Sequence, residues 1–345
     1  MPSAEPILSI RNLTVEFNTE DGVVHAVTDV SYDLAPGEVL GIVGESGSGK
    51  SVSMLSVLGL IPAPPGKIVS GEAVYKGEDL LKMPKGKLRE IRGGEMAMIF
   101  QDPMTSLNPV LTIGNQISEA IQTHNPRTSD DAARERTIHL LELAGVSFAE
   151  RRFDQYPHEF SGGMRQRAMI AMAIANDPSV LIADEPTTAL DVTIQAQIVE
   201  VLKTAQRETN ASTILITHDL GLIAELADRV VVMYAGRVVE LGDVYTIFNS
   251  PRHPYTVGLM TSLARVDMDQ EWLEPIPGQP PSLITPPPGC AFHPRCTLSQ
   301  GRARCRTEVP ELRSFSDGTL HLSACHFAEE LAAAPVLTAT GSENR

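Results

Sequence analysis

Residues Val39-Leu40-Gly41-Ile42-Val43 form a short apolar run, and Gly44-Glu45-Ser46-Gly47-Ser48-Gly49-Lys50-Ser51 follows it without a break. The run is preceded by the turn Ala35-Pro36-Gly37-Glu38 and reads as a buried strand. The stretch after it, Ser51 to Leu60, reads as a helix that must stop near Pro62, with Pro64-Pro65-Gly66 as loop. A glycine-rich loop between strand and helix lets backbone N–H groups point inward, and the helix N-terminus adds partial positive charge. The segment therefore predicts a cradle for phosphate oxygens. Lys50 would reach the β- and γ-phosphates of a nucleotide, and Ser51 would ligate Mg²⁺.

Two further segments belong to the same chemistry. Leu181-Ile182-Ala183-Asp184-Glu185 ends an apolar strand on two carboxylates. Asp184 is placed to hold Mg²⁺ through water and Glu185 to polarise an attacking water. At Phe160-Ser161-Gly162-Gly163-Met164-Arg165-Gln166-Arg167, Ser161 caps a helix start and two glycines leave backbone donors open, a second anion-binding helix N-terminus.

The rest of the chain predicts an α/β fold. Ile7 to Phe17 and Val23 to Leu34 read as strands, as do Val180 to Ala183 and Thr213 to Ile216. Thr128 or Ser129 caps a helix from Asp130 to Ala144, with Gly145 as its stop, and Ser161 opens another running to about Asn176. Strands alternating with helices imply a parallel sheet. Arg229 to Met233 and Arg237 to Leu241 read as a hairpin around Ala235-Gly236. A run of prolines from Pro275 to Pro288 then marks an irregular stretch, and the Ala/Thr/Ser-rich end from about Ala332 predicts disorder. With 345 residues the chain exceeds one ordinary domain, and its formal net charge of −15 argues against sequence-independent nucleic-acid binding. No stretch reaches the roughly 18–20 apolar residues of a membrane helix, and the N-terminus lacks a secretory pattern. A cytosolic protein that meets the membrane through partners is expected.

The order of these motifs resembles that of ABC nucleotide-binding domains over about residues 7–262. The resemblance implies a P-loop ABC domain with a RecA-like core, an antiparallel β subdomain and a helical signature subdomain at about 103–178. Ser161, Gly162 and Gly163 become the signature that closes over the ATP of a partner subunit; Phe160 and Met164 replace its usual Leu and Gln, which leaves the Ser161 and backbone donors in place. Gln101, followed by Asp102-Pro103-Met104-Thr105-Ser106-Leu107-Asn108-Pro109, resembles the Q-loop glutamine that senses Mg²⁺ or water. Ala189-Leu190-Asp191 resembles the D-loop, and His218 the switch histidine that contacts the γ-phosphate. Phe17 is the candidate to stack on adenine, with His25 and Tyr32 nearby.

The C-terminal segment narrows the resemblance. Gly289-Cys290-Ala291-Phe292-His293-Pro294-Arg295-Cys296, then Cys305 and Ala324-Cys325-His326, together with His253-Pro254-Tyr255-Thr256, are similar to the C-terminal region of oligopeptide/dipeptide permease ATPases, D-type subunit. This implies a nucleotide-binding domain over 1–262, an extension over 263–330 and a disordered tail over 331–345. It also implies ATP-driven peptide uptake, with a homologous F-type ATPase, two membrane-spanning permease subunits and an extracytoplasmic substrate-binding protein as partners, at the cytoplasmic face of the membrane. The same motor could serve nickel, glutathione or another small solute, because cargo choice resides in other chains; a soluble non-transport ATPase is the more distant alternative. Four clustered thiolates, Cys290, Cys296, Cys305 and Cys325, suit a [4Fe–4S] cluster, as in some members of the family, or Zn²⁺ as the alternative, with His293 and His326 outside the ligand set.

Overall fold

The computed structural model of the chain describes residues 5–188, 190–262, 276–315 and 320–331. Ala189, the start of the extension at 263 and the tail from 332 fall outside the described residues. Two compact units are interleaved along the sequence: Met1–Ser9, Asp33–Val39 and Val74–Thr217 in the first, and Ile10–Tyr32, Leu40–Ala73 and His218–Arg345 in the second.

In the first unit the expected parallel ladder is present. Met96–Ile99 pairs in parallel with Val180–Asp184, which pairs in parallel with Ser212–Ile216. The central strand is buried along its whole length, which is why it is apolar rather than alternating. Beside the ladder, helices Ile113–His124, Asp130–Leu143 and Gly162–Ala173 pack on one another. Ser129, not Thr128, is the cap of the second, accepting from the Ala132 N–H. The third ends at Ala173 rather than Asn176, with Ile174 as its last half-turn. Gly114 allows tight packing here: a methyl group on it would lie 2.3 Å from the Phe153 ring.

In the second unit, Gly22–Leu34, Leu8–Thr19 and Gly66–Tyr75 run side by side in that order. The strand Val39–Val43 pairs in parallel with Arg229–Tyr234 through Leu40↔Arg229 to Val43↔Val232. The helix after the glycine-rich loop spans Lys50–Val57, shorter than the sequence suggests, and Leu58 closes it before Pro62 is reached. Arg229–Tyr234 and Arg237–Asp243 form the expected hairpin, with Ala235 and Gly236 both at positive φ, as a two-residue turn that matches strand twist requires.

The sequence did not disclose how the extension joins this hairpin. His321–Ser323 adds an antiparallel strand to it, Glu240↔Ser323 and Gly242↔His321, and Arg313–Ser314 pairs beyond. Fully buried Glu240 ties the addition together. Its carboxylate accepts from His321 Nε2 at 2.7 Å and from the backbone N–H groups of Arg252 and His253. The stretch 276–289 carries neither helix nor strand, as its prolines imply.

Glu240→Ala leaves an imidazole and two amides buried without their acceptor. It is expected to destabilise the protein by about 3 kcal/mol, with Glu240→Gln, which keeps one acceptor oxygen, losing less; urea unfolding of the two variants measures the difference.

Candidate phosphate-binding loop and acidic strand end

Backbone contact shapes the loop of the second unit. Gly44 stands at φ 154, and a Cβ there would lie 2.2 Å from the Met233 carbonyl oxygen. Gly49, which begins the helix Lys50–Val57, stands at φ 97, and a Cβ there would lie 2.4 Å from the Ala26 carbonyl oxygen. Neither position admits a side chain, so the loop lies directly on neighbouring backbone. Lys50 is buried, and its ammonium donates to the carbonyls of Gly44 at 2.7 Å and Glu45 at 3.0 Å and to Ser48 Oγ at 3.4 Å. The first turn of its helix holds no acidic side chain, so its partial positive charge is available to an anion. Ser46 and Gly47 are exposed; Ser51 is half-buried at the start of the helix.

The second unit also holds Phe17 and His218. Phe17 is half-buried beside Gly66, whose added Cβ would meet its ring at 3.0 Å. His218 is exposed just ahead of helix Leu220–Leu226, whose cap is Asp219.

A structural feature missing from the sequence reading grips the loop from the far end of the chain. Arg295 donates to both carboxylate oxygens of Glu45, at 2.6 and 3.0 Å. The Glu45 N–H donates to Tyr255 Oη at 2.7 Å. Phe292 packs edge-on against Tyr234 and Tyr255, with ring centroids 5.1 and 5.4 Å away, and His253 lies 5.8 Å from it. The only local hint was the similarity of His253-Pro254-Tyr255-Thr256 to the same family; no spacing rule links Glu45 to a residue so distant in sequence.

In the first unit, Asp184 is buried at the end of its strand and Glu185 follows at φ 46. That left-handed backbone is costly for a glutamate and turns its side chain away from the strand direction. One oxygen of the Glu185 carboxylate accepts from Gln101 Nε2 at 2.9 Å and from Thr188 Oγ1 at 2.8 Å, while its N–H donates to the Ile216 carbonyl. Gln101 and Glu185, read separately in the sequence, thus meet in a direct hydrogen bond. Ser161 caps helix Gly162–Ala173 by accepting from Met164, and Asp191 caps Val192–Thr209 by accepting from Ile194. Close packing holds the two helices together: a Cβ on Gly163 would lie 2.7 Å from Ile194.

The four cysteines lie in the C-terminal segment, Cys305 and Cys325 buried and Cys290 and Cys296 half-buried. Cys290 donates its backbone N–H to the Cys305 carbonyl, so two thiols start from neighbouring backbone. Burial pushes all four thiol pKa values up, Cys290 to about 11 and Cys325 to about 12; charge on Cys296 and Cys305 raises Cys290 further, and charge on the other three raises Cys325. Yet among the described residues no group of three or more His, Cys, Asp or Glu side chains converges as a metal-ligand set. The four thiols share one module of the chain. His293 Nδ1 bonds the Cys290 carbonyl and His326 Nε2 the Glu308 carbonyl.

Residues 27–188 match the ABC transporter family, and residues 239–305 match the oligopeptide/dipeptide transporter C-terminal region. The dipeptide transport ATP-binding protein DppD of Bacillus subtilis is 53% identical over 292 residues, 85% of this chain and 87% of the relative. The Escherichia coli protein of the same name is 49% identical over 331 residues, 96% and 99% of the two chains. Among solved structures, the dimeric MJ0796, a bacterial ABC transporter cassette, aligns with a TM-score of 0.62 at 27% identity, covering 69% of this chain and 98% of that one. The cbiO1 protein of Clostridium perfringens, part of an ABC transporter complex, aligns at 0.59 and 30% identity, over 71% and 91%.

His253 gives the loop's surroundings a pH dependence. It is fully buried, and burial lowers its pKa from 6.5 to about 3. Its Nδ1 accepts from the Tyr255 N–H at 3.1 Å, which requires the neutral ring. The unfolded chain binds this proton below about pH 6.5 and the folded chain does not. Stability is therefore full above that pH and falls by about 1.4 kcal/mol per unit as the pH drops toward 3. His253→Asn keeps an acceptor for Tyr255 and is expected to remove that slope in thermal unfolding between about pH 7 and 5; an unchanged slope would assign the acid sensitivity elsewhere.

Proposed function

The chain belongs to the ABC transporter ATP-binding family, in the branch that carries the oligopeptide/dipeptide transporter C-terminal region, and from that premise we propose that it is the ATP-hydrolysing motor of a peptide importer. The observation that carries this reading is a buried-lysine phosphate loop and a peptide-transporter C-terminal region in one chain, close to half identical to a dipeptide transport ATP-binding protein over nearly its full length.

The roles we assign follow the geometry of each segment. The amides of Gly44 to Gly49 and the Lys50 ammonium bind the ATP phosphates, and Phe17 stacks on the adenine. Ser51, Asp184 and Gln101 are the groups for Mg²⁺, which neutralises phosphate charge when bound. Glu185, held by Gln101 and Thr188, orients and deprotonates the attacking water. His218 contacts the γ-phosphate. Ser161, Gly162, Gly163 and Asp191 serve the ATP held by the partner subunit. ATP closes the dimer of nucleotide-binding domains and hydrolysis reopens it, which permease subunits convert into transport. We divide the chain at 262 into the nucleotide-binding domain, with the helical subdomain at about 103–178, and an extension over 263–330, with 331–345 as tail.

A homologous F-type ATPase as the dimer partner and an extracytoplasmic substrate-binding protein complete the assembly in this reading. No helix among the described residues is long and apolar enough to cross a membrane, so attachment to the cytoplasmic face rests on the permeases. For the four cysteines, a [4Fe–4S] cluster remains the proposal and Zn²⁺ the alternative. Four thiols held in one extension, two of them on backbone joined by the Cys290–Cys305 hydrogen bond, support it.

In the reconstituted transporter with its binding protein, peptide is expected to stimulate ATP hydrolysis, and Lys50→Ala to abolish it. Stimulation by nickel with none by peptides would move the cargo to the alternative solute. Protein purified without oxygen is expected to be brown and to hold about four irons per chain; stoichiometric zinc selects the alternative, and neither metal means four plain thiols.

A further inference from the structure

The contact between Arg295 and Glu45 joins the cysteine-bearing extension to the phosphate loop within one compact unit. Its features are not those of a surface ion pair. The Arg295 side chain is only 5% exposed and meets the carboxylate at two points, the planar geometry that fits guanidinium to carboxylate best. Its remaining contacts fix it in place: Nε donates to the Pro277 carbonyl at 2.9 Å, and the other nitrogens reach Tyr234 Oη and the Ile276 carbonyl, each at 3.4 Å. Arg295 itself sits in a turn closed by its own N–H on the Phe292 carbonyl, one residue before Cys296. All of these partners except Glu45 belong to the extension or to the hairpin that receives it.

Glu45 is held on three sides. Arg295 takes its carboxylate, Tyr255 takes its N–H, and its carbonyl accepts from the Lys50 ammonium at 3.0 Å. A shift of Glu45 therefore shifts an oxygen that holds the lysine. Glu45 is also the one acidic residue between Gly44 and Ser51, so its unpaired charge would repel the phosphates that the loop serves.

We propose that Arg295 is a positioning residue for the phosphate loop, and that through it the C-terminal extension sets the affinity for nucleotide. The inference rests on the ATP-binding reading above and adds to it a residue outside the nucleotide-binding motifs. Arg295 acts in two ways: it fixes the Glu45 backbone under Lys50, and it cancels the Glu45 charge. Both effects fall on binding of MgATP rather than on the water-activating group, so KM should move more than kcat.

The test uses the full chain in the reconstituted transporter, with KM and kcat for MgATP and titration calorimetry for ADP. Arg295→Met is expected to raise KM and the ADP Kd about tenfold with little change in kcat. Adding Glu45→Gln removes the stranded charge, so the double variant should bind nucleotide better than Arg295→Met alone. Arg295→Lys keeps the charge but not the two-point geometry, and it should raise KM severalfold; it carries the test should Arg295→Met fail to fold. Wild-type nucleotide affinity in folded Arg295→Met or Arg295→Lys, or a double variant whose loss is the product of the single losses, would overturn the proposal. Lys50→Ala measured alongside separates the two readings: if it still hydrolyses ATP, the ATPase assignment itself fails, whereas an inactive Lys50→Ala beside an unaffected Arg295→Met removes only this inference.

Discussion

The second unit is organised by backbone approaching backbone where no side chain can intervene. Gly44 lies on the Met233 carbonyl and Gly49 on the Ala26 carbonyl, so the phosphate loop is pinned at both ends. The parallel pairing of Val39–Val43 with Arg229–Tyr234 sets the first contact, and the strand Gly22–Leu34 provides the second. With the ends fixed, the intervening residues have little choice but to curve around the Lys50 ammonium. A loop pinned at both ends has less freedom to lose, which reduces the ordering cost of binding.

The first unit prepares its acidic residues by a different device. The strand ending at Asp184 is buried between two parallel neighbours, and the chain then takes a left-handed step at Glu185. A glutamate in that conformation is strained, and the bonds from Gln101 and Thr188 hold the carboxylate in place against it. Strain sustained by a surrounding network is a recurrent feature of reacting groups.

Much of this was legible in the sequence because it is local. A buried strand is a run of apolar residues, the cradle is a spacing of glycines, and caps such as Ser129 and Ser161 announce helix starts. What escaped reading depends on long-range pairing. Nothing in His321-Leu322-Ser323 says that it will extend a hairpin some eighty residues earlier in the chain, because a three-residue strand has no usable periodicity. The Arg295–Glu45 bond is equally silent, since an arginine in a cysteine-rich loop is ordinarily a solvated one. The cysteines meet the same limit: spacing in sequence suggests a ligand set, while convergence is a property of side-chain directions that spacing does not encode.

The strand His321–Ser323 has a consequence for how such chains can diversify. Because it completes the hairpin edge and supplies the imidazole that Glu240 requires, the C-terminal region is woven into the sheet rather than appended to it. A chain ended at residue 262 would carry a bare strand edge, open to pairing with other molecules, above a buried acid that has lost a donor. Recombination that exchanges this region between relatives must therefore bring a matching strand and a matching partner for the acid. Inheritance should keep the two halves of the chain travelling together, even where their sequences otherwise drift apart.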